Sequence, residues 1–401
     1  MSFWVLNNSY PHFARFLSQD VIAARRCYIE SMKPESNPNG EISEAEALDE
    51  FARRPSTLPP IGVDLRGFPT EELARAVGAE VQGSLYQLGK LLNLKRLMRI
   101  VVAYDYNETL ASIDRGAAVS RPLAATNNGL AVGIAMTPAV LHEGEPRSVM
   151  VLNAAYLSVL GQPESAETSE ARDVVLYTLA HESGHVHDLD MQATAFPGEI
   201  LREHLSFRDG ILYEIASGCW EEYIACRLSA FMGKEVTRRA LEDTFCGALE
   251  RAKEQADLAI RQYRMHADVA RVTREVAEQY KSLMVYAAYL LGHVDGVGGA
   301  VEEIAPRAIN RIDSHSYFKR FFARLHDELR ALRGSYGRWQ SLEVFEPLKT
   351  LADDLLKIGG IDIRPRPDGG AHVVIPHSEA TMPTLAEQMA FLAQRNLPPE
   401  N

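Results

Sequence analysis

The stretch Val174 to Asp188 reads VVLYTLAHESGHVHD and holds the pattern H-E-x-x-H. The apolar residues before it and the absence of proline predict a helix there. On a helix, His181 and His185 lie four apart, so both imidazoles leave one face and can reach one ion. Glu182 follows the first histidine by about 100° of rotation, close enough to act on a water beside the ion without being a ligand. Gly184 leaves room for a neighbouring element to approach. The rest of the chain is therefore constrained to supply a further ligand and to cover the site.

Size and composition permit this. The chain has 401 residues, 46% hydrophobic and 24% charged, which suits a soluble protein with a sizeable core. A net charge of −12 argues against a broad nucleic-acid surface. Four cysteines form no C-x-x-C pair and read as free thiols of a reducing compartment. The first twenty residues lack a secretory signal pattern, and no apolar run reaches membrane-spanning length. The expected location is the cytoplasm.

In chain order, residues 1–60 read as an N-terminal helical arm, broken by Pro and Gly near 34–40 and 55–60. Residues 61–235 read as the core. Thr70 caps a helix running to about Leu92, with Glu71 and Glu72 in its first turn. Strand signals follow at Arg99 to Tyr106, at Leu130 to Met136 after the Asn128-Gly129 turn, and at Ser148 to Asn153. Either 149–153 or 130–136 is the expected sheet edge, where an extended peptide could pair. Residues 236–358 read as a helical domain. Its proline-free stretch 236–291 predicts two or three helices, with breaks near Gly247 or His266, and the glycines 296–299 end the block. Residues 359–401 read as a hairpin turning at Asp368-Gly369-Gly370 and a last helix.

Zinc suits the donor types, since it accepts imidazole nitrogen and carboxylate oxygen in tetrahedral geometry. A carboxylate on a second helix is the expected third ligand. In the segment Cys219 to Ala230, Trp220, Ile224 and Leu228 make an apolar stripe. Glu222, Ala225, Cys226 and Ser229 make a face of mostly small residues that lets two helices lie close. Glu222 is the preferred ligand, Glu221 the runner-up, and His204 a weaker substitute. His187 points off the two-histidine face.

These residues resemble the gluzincin peptidases, the group that includes thermolysin. The likeness rests on His181, Glu182, His185 and the later glutamate. The pattern Glu222-x-x-Ala225-x-x-Leu228-Ser229 also looks like the third-ligand helix of cytosolic H-E-x-x-H proteases from bacterial stress and mobile-element systems. A metzincin continuation is excluded, because Asp188 and Met191 stand where that class needs Gly and His or Asp. The resemblance covers about two helices. It implies a zincin-like core, a small mixed sheet beside an active-site helix, within a mainly helical α+β chain. It also implies His181, His185 and Glu222 as zinc ligands, with Glu182 as general base for hydrolysis of a protein or peptide substrate. One departure stands out: four residues after the ligand glutamate, thermolysin-like enzymes carry an acid that orients a zinc-bound histidine, and this chain has Cys226. Asp188, Asp190 and Asp173 are the alternative orienting acids, and Tyr213 and Tyr223 the candidate oxyanion donors.

Other features take plainer readings. The basic stretch 307–338, with Phe318, Phe321, Phe322 and Tyr336, reads as core packing beneath a solvated basic face in preference to a nucleic-acid grip. Cys219 and Cys226 read as buried thiols. Two alternatives to the peptidase stay open at this level: a non-catalytic regulator built on the same core, and a metallohydrolase of a non-peptide amide.

Overall fold

A computed structural model describes residues 50–116, 122–127, 129–201 and 205–395. Most of the N-terminal arm and His204 lie outside them. The described chain is mainly helical with a small mixed sheet, an α+β arrangement. Among the described residues, no helix is long and apolar enough to cross a membrane.

The sheet comprises β1 (Val63–Arg66), β2 (Leu97–Ala103), β3 (Ala135–Met136), β4 (Ala139–His142) and β5 (Glu145–Asn153). Strands β1, β2 and β5 run parallel, while β3 and β4 pair antiparallel with the far side of β5. Residues 149–153 are thus interior, and the edge beyond β5 belongs to β3 and β4. Alternation along β5 serves two cores. Met150 and Leu152 join the main cluster, whereas Val149 and Val151 pack with Tyr106 and Leu110 on the other face. Strand β1 has no counterpart in the sequence reading: Val63 to Arg66 alternates apolar and polar residues, but over only four positions.

Helix α1 (Glu71–Leu88) begins as expected, with the Thr70 hydroxyl accepting from the Leu73 amide. Short helices α2 (Tyr106–Ala111) and α3 (Ala154–Leu157) follow β2 and β5. The motif helix α4 (Ala166–Ala195) opens on a reciprocal capping box between Ser165 and Thr168. Helix α5 (Phe207–Ser229) starts earlier than its apolar pattern, because Ser206 caps it and accepts from the Asp209 amide.

Helices α6 (Glu235–His266) and α7 (Val269–Val297) form an antiparallel pair. The break falls at Ala267, which takes a left-handed φ of 60°, and Asp268 then caps α7. Gly247 stays inside α6, where a side chain would run into Leu130. Gly298, at φ +77°, closes α7. Then come α8 (Val301–Ile304), α9 (Pro306–Ser314), α10 (Ser316–Gly334) and α11 (Glu346–Ile358). The hairpin forms from β6 (Asp362–Pro365) and β7 (Ala371–Val374), and α12 (Leu385–Arg395) follows.

One continuous buried cluster runs from Val63 to Ile363 through both the sheet and the helices. Phe318, Phe321 and Phe322 are inside it, which accounts for the aromatic spacing of α10. The basic residues around them meet acids: Arg307 bonds Glu242 and Asp243, Arg311 pairs with Glu250, and Arg324 with Asp354.

Candidate metal centre

Three helices meet where the motif lies. Helices α4 and α5 cross at Gly184, where an added Cβ would sit 2.9 Å from the Ala225 Cα and 3.3 Å from its carbonyl oxygen. Helix α7 crosses α5 through Gly292, where a side chain would strike the Tyr223 carbonyl. These bare positions let backbones approach and bring side chains from separate helices onto one point.

That point gathers His181, His185 and Glu222. The two histidine Nε2 atoms are 3.1 Å apart. The Glu222 Oε2 lies 3.2 Å from His181 Nε2 and 3.4 Å from His185 Nε2. One ligand atom from each residue falls within 4.8 Å of the others. Glu221 stays outside this group. Its carboxyl is pushed up to about 7, by burial first and against the pull of His185.

Electrostatics bind the group together. Burial works against a charged His185, but the Glu222 carboxylate outweighs it and holds the pKa up at about 10. Burial likewise works against the Glu222 charge, and His185 with His181 hold that carboxyl well below the usual range. Two carboxylate oxygens are nonetheless orphaned. The Oε2 atoms of Glu182 and Glu222 are buried with no hydrogen-bond partner, and Glu182 is only 5% exposed. Unmatched buried acceptors are costly. A divalent ion held by the two imidazoles and Glu222, with a water facing Glu182, would match both, and the nitrogen and oxygen donors suit zinc.

The residues around the group differ from the sequence expectations. Cys226 Sγ lies 3.7 Å from His181 Nδ1, and the Tyr177 hydroxyl donates to that sulfur at 3.5 Å. Tyr289 of α7 stacks on His181 with ring centroids 5.5 Å apart and planes 12° apart. Burial first and then the nearby Glu222 carboxylate raise the Tyr289 phenol well above its ordinary pKa. Tyr106 of α2 faces Glu182 from the sheet side, and burial followed by that carboxylate raises its phenol too. Sequence reasoning named neither tyrosine as part of the site, since no motif marks them and only the helix crossings place them there.

The expected orienting acids are engaged elsewhere. Asp188 accepts from Trp220 Nε1 at 3.1 Å, the Tyr336 hydroxyl at 2.9 Å and Gln192 Nε2 at 2.7 Å. Asp190 accepts from Asn93 and Arg96, tying α4 to the start of β2. Asp173 lies eight positions before His181 on α4. Tyr223 donates to Asp295 at 2.6 Å, and Tyr213 packs edge-on against Phe345. His187 faces away from the group, its Nδ1 accepting from the Asn93 amide. Cys219 and Cys226 are buried free thiols. Comparison with family models, curated proteins and solved structures found no match to this chain.

Proposed function

We propose that this chain is a cytoplasmic zinc-dependent endopeptidase with a zincin-like core. The observation that carries the reading is the convergence of His181, His185 and Glu222 beside the orphaned oxygen of Glu182. Zinc held there would supply Lewis acidity, polarising a peptide carbonyl and making water easier to deprotonate. Glu182 takes the water proton at its free Oε2 and passes it to the leaving amine. Its burial shields the carboxylate from competing solvent hydrogen bonds. The outer edge of β3 is unpaired among the described strands, and β3 packs against α4. An extended peptide pairing with that edge would run beside the histidines.

Metal analysis after zinc supplementation, together with peptide cleavage assays, tests this. Wild type should bind one zinc per chain, and His181→Ala should bind none. Glu182→Gln should keep the metal and lose roughly 10²- to 10⁴-fold in hydrolysis. A wild type without stoichiometric zinc would sink the proposal. Zinc binding with no difference in cleaved termini between wild type and Glu182→Gln would favour a non-catalytic regulator.

A further inference from the structure

We propose that Cys226, backed by Tyr177, is the residue that orients His181 toward the metal, a task zinc sites commonly give to a carboxylate. The inference rests on the zinc reading of the site. The Nε2 of His181 faces His185 and Glu222, so Nε2 is the metal-side nitrogen. A neutral imidazole binding through Nε2 carries its proton on Nδ1. That nitrogen faces Cys226 Sγ at 3.7 Å, a distance suited to an N–H donor and a sulfur acceptor. Tyr177 lies one helical turn before His181, and its hydroxyl donates to the same sulfur at 3.5 Å.

The surroundings leave the ring little freedom. Cys226 is fully buried and Tyr177 nearly so. Tyr289 stacks on the His181 ring at 12°, which fixes its plane. The stack sets the tilt of the imidazole, and the sulfur sets its rotation about Cβ–Cγ. Cys226 belongs to the face of α5 on which α7 closes at Gly292, where an added Cβ would lie 3.0 Å from the Cys226 Cβ. Glu222 Oε2 lies 3.2 Å from His181 Nε2, so the carboxylate sits at the ring nitrogen opposite the one that faces Cys226.

A thiol is a neutral, weak acceptor, so it fixes the tautomer without making the imidazole as basic as a carboxylate would. Zinc affinity, measured by chelator competition, separates this role from simple packing. Cys226→Val fills the space without an acceptor and should weaken zinc by about 10- to 100-fold. Cys226→Asp supplies the carboxylate and should bind zinc at least as tightly as wild type. Tyr177→Phe keeps the ring packing, loses only the hydroxyl, and should weaken zinc several-fold with the melting temperature unchanged. If Cys226→Asp does not fold, Tyr177→Phe with Cys226→Val still decides. A packing role predicts the reverse order: wild-type affinity for Val and Phe, and the weakest binding for Asp. That order in a zinc-binding wild type would overturn the role of Cys226 alone. A wild type that takes up no zinc would overturn the metal reading, and this inference with it.

Discussion

Two of the polar links between helices α4 and α5 are opposites. One is His181 and His185 with Glu222. The other, one turn further along α4, is Asp188 with Trp220. The first is half-buried, the second buried, and both rest on a carboxylate. The Asp188 oxygens receive three donors, from Trp220, Gln192 and Tyr336. The oxygen that Glu222 turns toward the histidines has no hydrogen-bond partner, and neither has the nearby Oε2 of Glu182. A carboxylate whose acceptors are filled from within the fold is structural, because nothing further can approach it. One with no hydrogen-bond partner at that oxygen and two ring nitrogens beside it has the donor set a metal ion would take.

The largest expected effect tests that division. Asp188→Ala strands the Trp220 indole N–H, the Tyr336 hydroxyl and the Gln192 amide in a buried site. Leaving buried donors without a partner costs about 1–3 kcal/mol for each group. Chemical denaturation should show this loss in the metal-free protein, while zinc stoichiometry stays at wild-type level. Glu222→Gln should do the converse, abolishing zinc binding with the smaller loss of metal-free stability. Equal stability losses for the two variants would erase the distinction.

A second test uses two histidines on α4, two residues apart, shifted in opposite directions. His185 is held up at about 10 by Glu222 against burial. In the metal-free protein its contribution is complete below the unfolded value near 6.5 and is lost as pH rises toward about 10. His187 is lowered to about 4 by burial, and His293 of α7 likewise. For these the unfolded chain binds protons that the fold refuses, so stability is lost as pH falls from about 6.5 to about 4. A shift of that size corresponds to about 3 kcal/mol for each group. Unfolding curves at pH 6.5, 5 and 4 should show the decline, and His187→Asn should flatten part of it. A stability that does not change across this range would contradict the burial of both rings.

The sequence conveyed one side of this molecule much better than the other. A spacing of four on a helix dictates a shared face whatever the fold, so His181 and His185 were readable directly. Glu222 was readable because Ala225 and Cys226 beside it announce a close crossing. Between Glu222 and Glu221, the structure brings Glu222 beside the two histidines. Asp188 is one of three candidate orienting acids in the sequence, and only the fold shows that Trp220, Tyr336 and Gln192 donate to it. Tyr289 and Tyr106 were invisible for a general reason: their place depends on how α7 and α2 pack, and tyrosines in apolar helices look alike. Gly247 misled in the same way, since a glycine in a helix signals a break or an admitted neighbour, here Leu130.

The smallest effect expected concerns the crossing that both links share. Gly184→Ala adds a methyl facing the Ala225 backbone at 2.9 Å, and a backbone atom cannot rotate away. The helices must separate by a few tenths of an ångström. Overpacking of this kind costs about 1–3 kcal/mol, while alanine regains about 1 kcal/mol in helix propensity. The net loss should be about 0–2 kcal/mol, read from the melting temperature. Separation also draws Glu222 away from the histidines. On the zinc reading, three ligand atoms from two helices must lie within coordination distance of one ion, whereas hydrogen bonds to Asp188 tolerate a longer reach. Zinc affinity should therefore fall by more than the stability change alone predicts. A zinc affinity unchanged in a destabilised Gly184→Ala protein would show that the ligands adjust independently of the crossing, and that the two links do not share one hinge.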